Sequence, residues 1–83
     1  MISIRVKNNQ LLQIGDQLVS IEITRSSAQN GRITVDGEAE VLRHDNIMRL
    51  LPGWEYVGEF RVQKGGRILH VRDAMDEEGL QEA

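Results

Sequence analysis

Two separate places in the chain carry basic side chains in patterns that suit nucleic-acid binding. Arg5 and Lys7 alternate with apolar residues near the start, and Arg43 and His44 lie side by side further along. An arginine guanidinium can donate two hydrogen bonds to O6 and N7 of guanine, and lysine or arginine neutralises backbone phosphates. If the fold brings the two places together, these four side chains form a nucleic-acid-binding edge. The alternative is that they are solubilising charges that protect an exposed strand.

A second basic set accompanies the aromatic residues of the chain in its last third. The aromatic side chains, on which bases could stack, are Trp54, Tyr56 and Phe60. The basic side chains are Arg61, Lys64, Arg67 and Arg72. Because aromatic residues are absent elsewhere in the chain, we interpret these three as core packing in preference to a stacking platform.

The residues that carry out catalysis or bind metals in other proteins are sparse here. The chain has no cysteine, and its two histidines, His44 and His70, fall in different predicted elements without a carboxylate at ligand-like spacing. No nucleophile is accompanied by a base that could orient it. We therefore predict no enzymatic activity, no metal site and no cofactor.

Charge is distributed unevenly along the chain, whose formal net charge is −3. Residues 73–83 hold five acidic and no basic side chains, which leaves ten basic and eight acidic side chains in residues 1–72. The body of the chain is therefore slightly basic and compatible with a polyanionic partner. The acidic end is predicted to be a solubilising tail, either a frayed helix or disordered, in preference to an inhibitor of the basic edge or a lure for a basic protein.

Alternation of apolar and polar residues predicts five strands in the first half of the chain. Val19, Ile21 and Ile23 share one parity, which is the period-two pattern of a half-buried strand. Gly15 can adopt a positive φ, so a tight turn is predicted before the third strand. A polar loop ending in Gly31 and the dipeptide Asp36-Gly37 are predicted to close two further hairpins. The predicted strands cover residues 2–7, 11–14, 17–25, 32–35 and 38–43.

A short helix and a further hairpin are predicted after the fifth strand. Asp45 or Asn46 can cap the helix, in which Ile47, Leu50 and Leu51 share one face before Pro52-Gly53 ends it. Two strands, residues 56–64 and 67–72, are predicted on either side of Gly65-Gly66. The predicted organisation is a single β-rich domain over residues 1–72, with a core over 1–51 and an extra hairpin over 54–72, followed by the acidic tail over 73–83.

The size of the chain also bears on its assembly and location. A chain of 83 residues without disulfides buries a modest fraction of its surface, so we predict stabilisation by a homodimer. No segment approaches the roughly 20 apolar residues that a membrane span requires, and no long apolar run follows the first residues. We therefore expect a cytoplasmic protein that does not associate with membranes.

The order of these elements resembles the carbon storage regulator (CsrA/RsmA) family, whose members are dimeric RNA-binding regulators of translation. The first 16 residues match the register of the family up to its Ile-Gly-Asp turn, here Ile14-Gly15-Asp16, and the likeness continues to about Ile47. The resemblance implies an intertwined dimer, with the first strand of one subunit beside the last strand of the other. It also implies binding of single-stranded GGA-containing loops in mRNA leaders. The residues predicted to bind RNA are Ile4, Arg5, Lys7, Leu42, Arg43 and His44.

The chain departs from the family pattern at the basic positions and after the helix. Arg5-Val6-Lys7 replaces a family stretch with adjacent arginines, and Arg43-His44-Asp45-Asn46 replaces a run that begins with His-Arg. Asp36-Gly37 replaces an Ala-Pro turn, and the hairpin over 54–72 has no family counterpart. These departures support a second hypothesis, a small β-rich structural or protein-interaction module, for example one encoded by a bacteriophage, that does not bind RNA. The edge of its extra hairpin would then join the sheet of a protein partner.

Overall fold

The computed structural model describes residues 1–24 and 30–79 and contains eight strands and two helices. In chain order the elements are β1 (Ile2–Lys7), β2 (Gln10–Ile14), β3 (Gln17–Ile21), β4 (Asn30–Val35), β5 (Val41–Leu42), α1 (His44–Arg49), β6 (Glu55–Gly58), β7 (Arg61–Lys64), β8 (Arg67–His70) and α2 (Val71–Glu77). All strand pairs are antiparallel, which confirms the predicted mainly-β class. Neither helix in these ranges is long and apolar enough to cross a membrane.

The strands form three small sheets. β1 and β4 pair as a two-stranded sheet, which we call the N-terminal ribbon. The central sheet has the order β3-β2-β5, and the C-terminal sheet has the order β6-β7-β8. Within one chain, therefore, β1 lies beside β4 and β5 lies beside β2.

Strand β2 is buried on both faces, because its consecutive residues Leu11 and Leu12 enter different hydrophobic cores. Leu11 is fully buried in a first core with residues of both helices, of the C-terminal sheet and of the segment between α1 and β6, namely Ile47, Leu51, Trp54, Val62, Val71 and Ala74. Leu12 is 2% exposed in a second core beneath the ribbon, with Ile4, Val6 and Ile21. Successive side chains of a strand point to opposite faces, so β2 separates the two cores.

The predicted pairing of the fourth strand is wrong. Asp36-Gly37 was expected to close a hairpin between the fourth and fifth strands, and the preceding loop a hairpin between the third and fourth, but β4 pairs with β1. The register places Ile4 opposite Ile33 and Ile2 opposite Val35, so the apolar faces of both strands coincide. Residues 38–40 are exposed and polar or small, and only Val41–Leu42 form β5.

Several predicted boundaries also differ from the structure. β3 ends at Ile21, although the predicted strand continued to residue 25. Residue 25 of that strand and residues 26–29 of the predicted loop lie outside the described ranges. Gly31 is part of β4 and is not among the residues with positive φ. Neither Asp45 nor Asn46 caps α1, because the helix begins at His44 and its N-cap residue is Arg43, which makes no side-chain cap. Leu50 follows the helix and is 41% exposed.

The predicted C-terminal hairpin is a three-stranded sheet. A turn at Glu59 and Phe60, both with positive φ, divides the predicted strand 56–64 into β6 and β7. Positive φ at both central residues is the geometry of a type I′ hairpin turn, which usually contains Asn or Gly. Here the Phe60 N–H donates to the Tyr56 hydroxyl at 3.2 Å, and the Phe60 carbonyl accepts from the Val71 N–H at 2.8 Å. These contacts stabilise a turn that the residues of the turn itself do not predict.

The second helix, α2, was not part of the predicted domain, although a frayed helix was one of the two alternatives for the acidic tail. It begins at Val71, within the predicted last strand, and its N-cap is His70, whose Nδ1 accepts from the Arg72 N–H at 3.1 Å. The predicted division between residues 72 and 73 falls inside this helix. Ala74 is fully buried in the first core and Met75 packs against that core, so α2 is anchored to the domain.

Both faces of β2 are expected to be critical for stability. Leu11→Ala and Leu12→Ala should each lower the free energy of unfolding by about 2–5 kcal/mol, because each substitution leaves a cavity in a different core. The control is Val57→Ala, since Val57 on β6 is 44% exposed. Urea denaturation of the three variants and of the wild type would measure the free energies of unfolding. A loss at only one of the two leucines would contradict the two-sided burial of β2.

Candidate nucleic-acid interface

A groove of about 750 Å³ brings the two basic places of the sequence together. Arg5 and Lys7 reach it from β1, and Arg43 and His44 reach it from the start of α1. The residues of 1–24 and 30–79 that line it are Arg5, Val6, Lys7, Gln10, Leu12, Asn30, Gly31, Arg32, Arg43, His44 and Asp45. We call this feature the basic groove.

Arg32 is a fourth cation of the basic groove, and the sequence did not identify it as a site residue. It lies on β4 directly opposite Arg5 in the register of the ribbon. Cβ atoms of directly opposed residues lie about 4.5–5.5 Å apart. In the sequence, alternation places Arg32 on the polar face of its strand. That position indicates a site residue only once β4 is known to pair with β1.

The outer face of the ribbon is polar and positively charged. Three cross-strand pairs lie on it: Ser3 with Thr34, Arg5 with Arg32, and Lys7 with Asn30. All six residues are exposed, and neither β1 nor β4 contains an acidic residue. Among the residues that the structure describes, Asp45 is the one carboxylate that lines the basic groove. Within residues 1–24 and 30–79, the ion pairs are Lys64–Glu78 and Arg67–Glu77, so none of them includes a groove cation.

Two of the predicted RNA-binding residues have side chains that face the interior. Ile4 is 2% exposed and belongs to the second core. Leu42 on β5 is half-buried and packs against the first core. Their position in the structure makes them supports for the neighbouring Arg5 and Arg43, which are exposed.

His44 joins the basic groove to the central sheet. Its Nδ1 accepts a hydrogen bond from the Leu11 N–H at 3.1 Å, and its ring contacts the Tyr56 ring edge-on with 5.5 Å between centroids. Tyr56 is held in turn by Ser20, with 3.0 Å between the two hydroxyl oxygens. Because Nδ1 is the acceptor, the neutral imidazole carries its proton on Nε2 and retains one N–H donor.

The polar groups around the basic groove are mainly hydrogen-bond donors. The Gln10 Oε1 is occupied by the Lys7 N–H at 3.0 Å, which leaves the amide NH₂ of Gln10 as a donor. Four cationic groups and the His44 Nε2–H add further donors, against the acceptor oxygens of Asn30 and Asp45. Such a groove suits a ligand rich in acceptors, such as a phosphate or the O6 and N7 edge of guanine.

The second basic set is largely engaged by groups of the protein itself. Lys64 lies 3.5 Å from Glu78, which also accepts from the Trp54 indole N–H at 3.0 Å. Arg67 donates to Glu77, with 3.1 Å between Nη1 and Oε2, and Arg72 donates to the Asp16 carbonyl at 2.8 Å. Trp54 is 5% exposed, so the packing interpretation of this aromatic residue is confirmed.

Comparison with known protein families, curated proteins and solved structures gives no match for this chain. The resemblance to the carbon storage regulators therefore rests on the residues and the strand order quoted above. The basic groove has to be interpreted from its own chemistry. In the described part of the chain, no group of three or more acidic or histidine side chains is arranged to hold a metal ion.

Loss of the His44 imidazole should destabilise the fold. His44→Ala leaves the Leu11 N–H without its acceptor, and we expect the free energy of unfolding to fall by about 1–3 kcal/mol. The matched control is Asn46→Ala on the exposed face of α1, which should change it by less than about 0.5 kcal/mol. Equal urea midpoints for the two variants would contradict the structural role of His44.

The ion pair between Arg67 and Glu77 predicts a pH-dependent stability. The hydrogen bond from Arg67 and its positive charge lower the pKa of Glu77, and the same contact raises the pKa of Arg67. A carboxyl group with a lowered pKa stabilises the folded state above its unfolded pKa, and the contribution disappears as the pH falls through the folded value. Glu77→Gln should therefore lower the melting temperature slightly near neutral pH.

The difference between wild type and Glu77→Gln should vanish at about pH 2, where the carboxyl group is protonated in both states. Glu55→Gln, which removes an exposed carboxylate from β6, is the control and should show a smaller difference at neutral pH. Thermal unfolding across the acid range provides the measurement. If the difference in melting temperature persists at about pH 2, the charge of Glu77 does not cause it.

Proposed function

We propose that the protein is a cytoplasmic RNA-binding post-transcriptional regulator that binds single-stranded GGA-type loops of mRNA in the basic groove and modulates translation. The observation that supports this most directly is that, within the described residues, four cations and a single carboxylate converge on one groove. Cations without acidic partners repel one another and lower the stability of the folded protein, but they increase its affinity for polyanions. The preference for GGA is taken from the family resemblance.

The side-chain chemistry of the basic groove favours a single strand over a duplex. Bases in a single-stranded loop expose their hydrogen-bonding edges, which are hard to reach in a double-stranded RNA helix. Arg5, Arg32 and Arg43 can each contact a guanine edge or a phosphate, and Lys7 can neutralise a phosphate. Bound RNA would block access of ribosomes to the message.

We further propose that the protein acts as a homodimer with one basic groove per subunit. The N-terminal ribbon has only two strands, and the second core beneath it is completed by half-buried side chains. These side chains are Ile2, Val19, Ile23, Ile33 and Val41. Two-stranded sheets are marginally stable by themselves, and a second subunit would supply further burial.

A fluorescence-anisotropy titration tests RNA binding. The protein is titrated against a hairpin with a GGA loop and against a loop-scrambled hairpin, at several salt concentrations. We expect tighter binding of the GGA loop, because groove side chains would contact its bases. If all four groove cations contact phosphates, the logarithm of the affinity should fall with the logarithm of salt concentration with a slope of about −3.

Arg43→Gln should weaken the binding of the GGA loop about tenfold to a hundredfold, as expected for loss of a bidentate arginine contact. Arg61→Gln is the matched control, because it removes the same charge from an exposed position on β7 outside the basic groove. Equal affinities for the two variants would show that Arg43 does not contact the RNA.

Absence of binding to either hairpin would instead favour the protein-interaction module. Val57 on β6 and Ile68 on β8 are the exposed apolar residues of the C-terminal sheet, at 44% and 57% exposure. Both lie on edge strands of that sheet, where a strand from a partner could pair.

A further inference from the structure

Two arginines face each other across the N-terminal ribbon. Arg5 on β1 and Arg32 on β4 are register partners, both are exposed, and both line the basic groove. On an antiparallel pair, like charges directly opposite each other are destabilising. The next pair on the same face, Lys7 with Asn30, adds another cation and no acid.

Nothing in the ribbon relieves this repulsion. β1 and β4 contain no Asp or Glu, and the ion pairs found within the described ranges lie at the C-terminal sheet. The repulsion lowers the stability of the ribbon, which is a two-stranded sheet and therefore only marginally stable by itself. An anion held between the two guanidinium groups would turn a repulsive arrangement into an attractive one.

We infer that Arg5 and Arg32 form a phosphate clamp that holds one phosphate of the bound RNA strand. This inference rests on the proposed function and adds the chemical group that the ribbon binds. Each planar guanidinium can donate two parallel hydrogen bonds to phosphate oxygens, so two opposed arginines can enclose one phosphate from both sides. Lys7 lies two residues along β1, about 7 Å away, where it can neutralise a neighbouring phosphate.

The clamp couples ligand binding to the stability of the ribbon. A ligand that binds the folded state and not the unfolded chain raises the melting temperature. Without ligand, removal of one of the two charges should stabilise the protein. The clamp therefore predicts opposite effects of one substitution, with higher stability of the free protein and weaker binding of RNA.

Arg32→Gln tests the clamp, and Arg61→Gln is the control with the same charge change outside the basic groove. Thermal unfolding of the full chain is measured in chloride buffer and with inorganic phosphate at matched ionic strength. In chloride, R32Q should melt about 1–5 °C above R61Q, because it loses the opposed charge. Phosphate should raise the melting temperature of wild type and R61Q more than that of R32Q.

Anisotropy titration of the GGA-loop hairpin completes the test. R32Q should bind about tenfold more weakly than R61Q, and its salt slope should be smaller by about 0.7. Arg32→Lys retains the charge and loses the planar fork, so it should keep the slope and still weaken binding. If R32Q binds like R61Q, the clamp is wrong.

The failure of the clamp and the failure of the proposed function give different results. RNA binding by wild type with equal phosphate responses in R32Q and R61Q would overturn the clamp and leave the function standing. A phosphate response that requires Arg32, without binding of either hairpin, would overturn the RNA function and leave a phosphate site between Arg5 and Arg32. A melting temperature of R32Q in chloride at or below that of R61Q would also overturn the clamp.

Discussion

The two-sided burial of β2 is the constraint on which the rest of the structure depends. Leu11 and Leu12 are neighbours in sequence, yet each is buried in a different core. A strand buried on both faces has to be covered on both sides, here by the N-terminal ribbon on one side and by the helices with the C-terminal sheet on the other. The Leu11 N–H adds a polar link, because it donates to His44 at the beginning of α1. β2 thus positions both walls of the basic groove.

Basic side chains are paired with carboxylates in the C-terminal part of the fold but not in the N-terminal ribbon. In the C-terminal part, Glu77 accepts from Arg67, and Glu78 accepts from Trp54 and forms an ion pair with Lys64. The acidic segment thus neutralises the nearby basic side chains. The ribbon has three cations and no acid, and two of its arginines oppose each other. Surface ion pairs contribute little stability individually, so their distribution is informative mainly about where positive potential remains available.

Local patterns in the sequence predicted the elements that depend on local physics. β1 was predicted with its observed limits, and the turn at Gly15, where φ is +62°, follows from the conformational freedom of glycine. The turn at Glu59 and Phe60 was missed because its residues lack that freedom. It is held by the Tyr56 hydroxyl and by the backbone of Val71, and neither contact can be recognised from the turn residues.

The sequence by itself determined where most of the strands lie and which of their residues are apolar, and it showed that basic residues occur at two separate places. It could not determine which strands lie side by side, because period-two alternation describes one strand and carries no information about its neighbour. Only the tertiary structure decided that β4 pairs with β1, which set Arg32 opposite Arg5. It also decided that His44 supports β2 while lining the basic groove, since that contact joins residues far apart in the chain.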